Sequence, residues 1–370
     1  MKKLCWLMLF VLAFPEVYAQ KSDTTRNIMT KGSALIKERL VMDTMQGSNH
    51  KTQQDAGIAY NTGLAYFEQN NYEEALKAFT KAIEFDKEFT NAYLNRGITL
   101  LELQKFRQAI DDFDQVINVS PLSSAFLYRA RTRYEMGEVD AAFEDFSNAI
   151  DFDSTNFHAY FYRGGIFFEN EEFDNAIRDF TSAINVKPNF AKAYNDRASS
   201  KRMLENLQGA MLDYNKSAEI DANQPYVYNN RGSIKRLLED YDGAIADYNL
   251  AIKLKPNYFV ALNNRGTAKM KKGDIQGAIS DFTASIEIQN EYNYAYINRG
   301  NAKFKQKDFA GAIEDYDTAI KIDSEYGNAF VNRGAAREAM QNYEGACDDY
   351  KRAVKLGVEG AENYVKEICK

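Results

Sequence analysis

A small residue returns along this chain at an almost fixed interval, at Gly63, Gly97, Ala130, Gly164, Ala198, Gly232, Gly266, Gly300 and Gly334. One interval is 33 residues and the others are 34. Twelve residues after each comes an alanine, from Ala75 and Ala109 through to Ala346. Four further on is an aromatic: Phe79, Phe113, Phe146, Phe180, Tyr214, Tyr248, Phe282, Tyr316 and Tyr350. Three beyond that is a small residue or valine, as in Ala82, Val116 and Ala353. Offsets of four and seven lie on one stripe of a helix. Pro121, Pro188 and Pro256 fall five residues past the stripe, where a helix must stop. A period in this range marks a stacked array and overrides any domain count taken from length. Each unit is then two helices that cannot bury their own apolar faces and must stack on the next.

Composition agrees and removes several function classes. Gly and Pro total 21 and 5 of 370 residues, too few for the turns of an all-β chain. Tyr and Phe, 24 each, are too many for a disordered one. The formal net charge of −7 argues against nucleic acid, whose phosphates require clustered Lys and Arg. Two His and three Cys leave little material for a metal site. No nucleophile elbow, metal-ligand spacing or phosphate-binding Gly loop appears. The expectation is therefore no enzyme, no cofactor and no metal.

The pattern resembles the tetratricopeptide repeat family. Tyr228-Asn-Asn-Arg-Gly232 followed by Asp240-Tyr-Asp-Gly-Ala-Ile-Ala-Asp-Tyr248 is close to the family's motif, and nine copies cover residues 56–357. The resemblance implies an all-α fold, a right-handed superhelical solenoid of antiparallel helix pairs with the first helices lining a concave face. It also implies a protein-interaction scaffold. The family's clamp for C-terminal carboxylates needs Lys where this chain has Tyr60, Leu94 and Leu127, so that ligand is not expected.

The ends differ from the middle. Residues 1–19 read as a secretory signal peptide: Lys2 and Lys3, an apolar run from Leu4 to Phe14, then Val17-Tyr18-Ala19 before a cut. The run is too short to span a bilayer, and no later stretch qualifies. The chain is expected outside the cytoplasm, periplasmic or secreted, with no membrane span in its mature form. Residues 20–55 form a polar extension containing one possible short helix over 34–41. Residues 358–370 read as a capping helix. In an oxidising compartment Cys347 and Cys369, 22 residues apart, could form a disulfide that pins this cap, or remain two buried thiols.

One charged pair recurs. An arginine precedes the small residue in repeats two to nine, and an aspartate precedes the aromatic in the same eight, as in Arg231 with Asp247 and Arg265 with Asp281. Repeat one has Thr62 and Ala78 instead. Joint presence and joint absence point to a structural pair tying the two helices of a repeat. The other reading gives the arginines to an acidic ligand.

Just before each arginine, or before Thr62 in repeat one, stand Asn61, Asn95, Tyr128, Tyr162, Asp196, Asn230, Asn264, Asn298 and Asn332. A column of carboxamides can both donate to and accept from an extended peptide backbone. It looks like the asparagine ladder in the superhelix of the O-linked N-acetylglucosamine transferases. Tyr128, Phe161 and Tyr162 interrupt it as an aromatic cluster, a candidate hot spot. Near the ends of the first helices Glu68, Glu102, Glu135 and Glu169 give way to Leu237, Lys271 and Lys305. Lys201, Lys235, Lys269, Lys303 and Arg337 fill a position where the family usually has Tyr or Leu. An acidic first half and a basic second half would orient a partner, and the other reading is solvated helix faces. The expected function is a non-catalytic scaffold outside the cytoplasm, binding an extended segment or helix of a protein partner along the concave face. Two other readings stay open: a structural subunit of an envelope assembly packing through its ends or convex face, and a carbohydrate-binding module.

Overall fold

The computed structural model describes residues 50–369. Residues 1–19, expected to be a signal peptide, the helix expected over 34–41 and most of the polar extension lie outside the described residues. Two compact units divide the chain, and the boundary between Asp213 and Tyr214 falls inside one helix. In the first unit α1 (His50–Glu68) pairs with α2 (Tyr72–Phe85), α3 (Thr90–Glu102) with α4 (Phe106–Val119), α5 (Ser123–Glu135) with α6 (Val139–Phe152), and α7 (Phe157–Glu169) with α8 (Phe173–Val186). Then come α9 (Ala191–Met203) and α10 (Leu207–Ile220), which carries the boundary. In the second unit α11 (Pro225–Leu237) pairs with α12 (Tyr241–Leu254), α13 (Phe259–Lys272) with α14 (Ile275–Ile288), α15 (Asn293–Lys305) with α16 (Phe309–Ile322), and α17 (Gly327–Ala339) with α18 (Tyr343–Lys355). The last helix, α19 (Ala361–Ile368), closes the array on α18. Among the described residues there is no strand. The first helix begins at His50, six residues before the expected start of the repeats at 56.

The periodic glycine and the periodic aromatic touch each other directly. A Cβ placed on Gly97 would lie 2.6 Å from the ring of Phe113, and one on Gly266 would lie 2.7 Å from Phe282. The aromatic therefore fills the space that the missing side chain leaves in its own repeat, rather than only a gap between repeats. Phe113 and Phe282 are fully buried there, each worth a few kcal/mol of removed apolar surface (about 3 for a Phe).

Each turn from first to second helix uses one residue in the left-handed region. It is Gly137 or Gly273 in two repeats, and Asn70, Gln104, Glu171, Glu205, Glu239, Lys307 or Gln341 in the others, with φ between 57° and 65°. The residue after it closes the turn, as Asp240 N–H does on the Lys235 carbonyl at 2.9 Å. Asp240, Asp274, Asp308 and Asn342 then cap the second helices of the later repeats, each accepting from the N–H three residues on. The second helices α4, α8 and α12 end two residues before Pro121, Pro188 and Pro256.

The recurrent arginine joins three helices. Arg231 holds Asp247 by Nε at 2.9 Å and Nη2 at 2.6 Å, and its Nη1 reaches Asn215 at 3.1 Å. Arg163 repeats the arrangement on Asp179 and Ser147, and Arg299 on Asp315 and Thr283. The aspartate takes a second cation from the same first helix: Lys235 on Asp247, Lys269 on Asp281 and Lys303 on Asp315, each at 2.8 Å. Lys201 and Arg337 do the same on Asp213 and Asp349. The lysines expected to make a basic groove wall are thus bound to structural carboxylates, because the Asp oxygens lie within reach of a long stem one turn away.

Candidate functional site in the first unit

A cavity of about 700 Å³ opens along the first helices of the first unit. Four residues at helical spacing on α3, Asn91, Leu94, Asn95 and Ile98, form one wall. Ser123, Ser124, Leu127 and Tyr128 of α5 form the next, followed by Phe157 and His158 of α7, with Tyr60 of α1 at the near end. The turns between repeats supply Leu122, Asp153, Thr155, Asn156 and Lys187. Leu94, Ile98 and Leu127 are buried and give an apolar floor. The polar edge is organised: Asn95 donates to the Tyr60 hydroxyl at 2.7 Å, Asn156 to Ser123 at 2.9 Å, and Ser123 to the Ala149 carbonyl at 2.6 Å. Asp153 accepts from the Thr155 backbone and hydroxyl.

Phe152, 55 % exposed, and Val186, 38 % exposed, complete the rim from the last positions of α6 and α8. Phe85 and Val119 stand exposed at the same repeat position in this unit. The signal for this row was present in the sequence: an apolar residue closes each of these second helices just before a turn, where burial would not require one.

The amide column behaves differently from the expectation. Asn61 is exposed on α1, and Asn95 is buried against Tyr60. In the second unit Asn230, Asn264, Asn298 and Asn332 are all at most 5 % exposed, and the amides bond to one another. Asn298 donates to Asn263 at 3.0 Å, Asn264 to Asn229 at 3.1 Å, and Asn332 to Asn301 at 3.1 Å. A second amide on the same helix, Asn229, Asn263 or Asn301, is what makes this internal ladder, since it presents an oxygen to the next first helix. These side chains join adjacent first helices and do not stand open to a peptide.

The aromatic cluster divides. Tyr128 lines the cavity, but Phe161 and Tyr162 are core residues, 0 % and 1 % exposed. Phe161 packs on Phe180 and Phe190 with ring centroids 5.8 and 4.8 Å apart, and Tyr162 stacks on Phe146 at 5.5 Å. Helical position places both next to the groove, but Phe161 is covered by Phe180 of its own repeat and Phe190 of the next, and Tyr162 by Phe146 of the one before.

Three titratable groups on first helices are shifted, of which Tyr128 lines the cavity. Burial pushes the Tyr128 hydroxyl up to about 12, so it remains a donor. Burial raises Glu102 above the usual carboxylate range, with Arg131 pulling the other way. Asp196, where most repeats carry the ladder asparagine, is buried on α9 with Asn195 donating to it at 2.7 Å, and burial raises it to about 7. At the far end of the chain Cys347 and Cys369 are joined as a disulfide, their Cα atoms 5.2 Å apart. Among the described residues no cluster of His, Cys, Asp and Glu is placed to hold a metal, and no helix is long and apolar enough to cross a membrane.

Comparison with known proteins gives one consistent picture. Family models described as TPR repeat and tetratricopeptide repeat match residues 63–104, 94–157, 129–184, 225–258 and 294–326. Human DnaJ homolog subfamily C member 7 is 31 % identical over 98 residues, 26 % of this chain and 20 % of the relative. The STIP1 homolog of Dictyostelium discoideum is 32 % identical over 97 residues, 26 % of this chain and 17 % of the relative. The chain thus spans about a fifth of the length of these curated relatives. Among solved structures, the APC/C hetero-tetramer Cut9-Hcn1 matches at TM-score 0.58 and 13 % identity, over 97 % of this chain and 86 % of that one. A tetratricopeptide repeat protein from Parabacteroides merdae matches at TM-score 0.55 and 18 % identity, over 67 % and 99 %. At these identities the structural likeness concerns the fold.

Proposed function

We propose, since this chain belongs to the tetratricopeptide repeat family, that it is a non-catalytic scaffold holding an extended segment of a partner protein outside the cytoplasm. Proteins of this family are protein-interaction scaffolds, and one matched structure is of a hetero-tetramer, Cut9-Hcn1 of the APC/C. The cavity of the first unit carries the finer reading. Its floor of Leu94, Ile98 and Leu127 suits apolar side chains, and its edge of Asn91, Ser124 and Tyr128 suits a peptide backbone. A surface of this mixed kind, long in one direction, fits a chain in extended form better than a compact ligand. The leader-like residues 1–19 support export.

The test is affinity capture from envelope and secreted fractions with two baits, wild type and Ser124→Arg, which fills the groove from a partly exposed position. Both baits are first matched in melting temperature. A partner recovered only with the wild type supports the groove. Equal recovery with both overturns it and favours a subunit that packs through its ends or outer face. N-terminal sequencing of the natural protein tests export: a mature chain starting at Gln20 supports it, and a chain retaining Met1 overturns it.

A further inference from the structure

Three arginines stand two residues apart on α5, and only two of them are tied down. Arg129 is held by Asp145 and Asp114, and Arg133 by Asp145. Arg131 faces the other way, as spacing by two residues on a helix requires. It is 8 % exposed, and its guanidinium lies 5.5 Å from the ring centre of Tyr128 and 5.7 Å from that of Tyr162. Among the described residues Arg131 makes no hydrogen bond and no ion pair. Glu102 feels its charge without pairing to it. The two rings supply cation–π attraction to the face of the group but nothing for its N–H edges.

We propose that Arg131 reads an acidic side chain of the bound segment, an Asp or Glu seated beside an apolar residue in the cavity of the first unit. The proposal rests on the groove reading above and adds the chemistry of its ligand. A guanidinium mostly covered by two rings yet still 8 % exposed, with its fork of donors unassigned, gains most from a carboxylate that it can hold by two parallel bonds. Tyr128 links the two features: it lines the cavity and supports Arg131. The cavity runs from Tyr60 to Lys187, across four repeats, so a segment passes through it and an internal acid suffices without a chain end.

The experiment uses the full chain and an array of short random peptides tethered through their C-termini, so that only side-chain carboxylates are available. Bound sequences should be enriched in an Asp or Glu next to an apolar residue. Replacing that acid by its amide should weaken binding about tenfold or more, the range of a charge-assisted pair. Arg131→Gln should cost the acidic peptide the same factor and leave the amide peptide unchanged, a coupling that a merely structural role would not produce. Arg131→Lys, which keeps the charge and loses the fork, should fall between; circular dichroism confirms that both variants fold. Equal losses on acidic and amide peptides, or preference for phosphorylated over carboxylate peptides, would overturn the assignment. Apolar binders that are lost with Ser124→Arg but show no acid preference would overturn it and leave the groove standing. No binder at all would overturn both.

Discussion

Arg265 grips Asp281 through two hydrogen bonds, Nε at 2.8 Å and Nη2 at 2.7 Å, and its third nitrogen reaches Asn249 of the preceding repeat at 2.7 Å. From Arg129 to Arg333 each such arginine fastens the two helices of one repeat and fastens that repeat to the one before, whereas among the described residues Arg96 holds only Asp112 of its own repeat. The carboxylate is almost fully buried, and Lys269 balances it from the other side.

Removing the carboxylate should hurt more than its surface-pair appearance suggests. Asp247→Ala leaves Arg231 and Lys235 facing each other without an anion, and breaking a buried pair from one side costs about 3 kcal/mol or more. The expected outcome is a lower melting temperature with no change in partner affinity. A weaker complex at unchanged stability would return the arginines to ligand binding.

Glycine should stabilise the turns that do without it. Glu239 and Lys307 hold φ of 61° and 65°, a conformation costing an L-residue about 1 kcal/mol. Glu239→Gly and Lys307→Gly should each raise stability by several tenths to about 1 kcal/mol in thermal melts. Glycine at exposed Ala246, inside α12, should do the opposite: Ala246→Gly should lower stability by about 1 kcal/mol.

Asp196 gives stability a pH dependence of definite sign. Its carboxyl titrates near 7 in the folded chain against about 3.9 unfolded, so between these values the native state binds the extra proton. Stability should therefore fall as pH rises from about 4 to about 7, and level off above. Asp196→Asn, the residue most other repeats carry here, should remove this slope. It should stabilise by about 2 to 4 kcal/mol at pH 8 and by little at pH 4, read from melting temperatures across that range.

The amide ladder should answer to stability and not to ligand. Asn264→Ala deletes a buried hydrogen bond to Asn229 and leaves its oxygen unmet, a cost of about 1 to 3 kcal/mol. Urea denaturation should show the loss, while capture of a partner by the folded variant should match the wild type.

Reduction should loosen the last helix alone. α19 is held by the Cys347–Cys369 bond and by Tyr364 stacked on Tyr350, ring centres 4.9 Å apart. With dithiothreitol, amide exchange should accelerate across Ala361–Ile368 and stay slow in α11 to α16. Acceleration throughout would mean that the cap supports more than its neighbour.

Much of this protein was legible in its residues because the information was local and repeated. A glycine, an alanine and an aromatic at offsets of 12 and 4 specify two helices and the face each buries, and nine copies remove chance. The Arg231–Asp247 pairing could be read from joint absence in repeat one. Direction across a helix stack could not be read in that way. Asn264 and Tyr162 each lie toward the preceding repeat, and only that repeat's Asn229 or Phe146 decides that they are covered. Lys235 looked like a groove residue until the position of the Asp247 oxygens settled where its stem ends. Phe152 and Val186 show in the sequence only as apolar residues closing their helices, and that they form a rim depends on what the next turn leaves uncovered. The repeat helices and their pairing follow from the periodicity of one chain segment, so the residues alone were enough to place them. Which polar groups meet each other and which face the groove is a property of contacts between repeats, and those contacts exist only once the array has stacked.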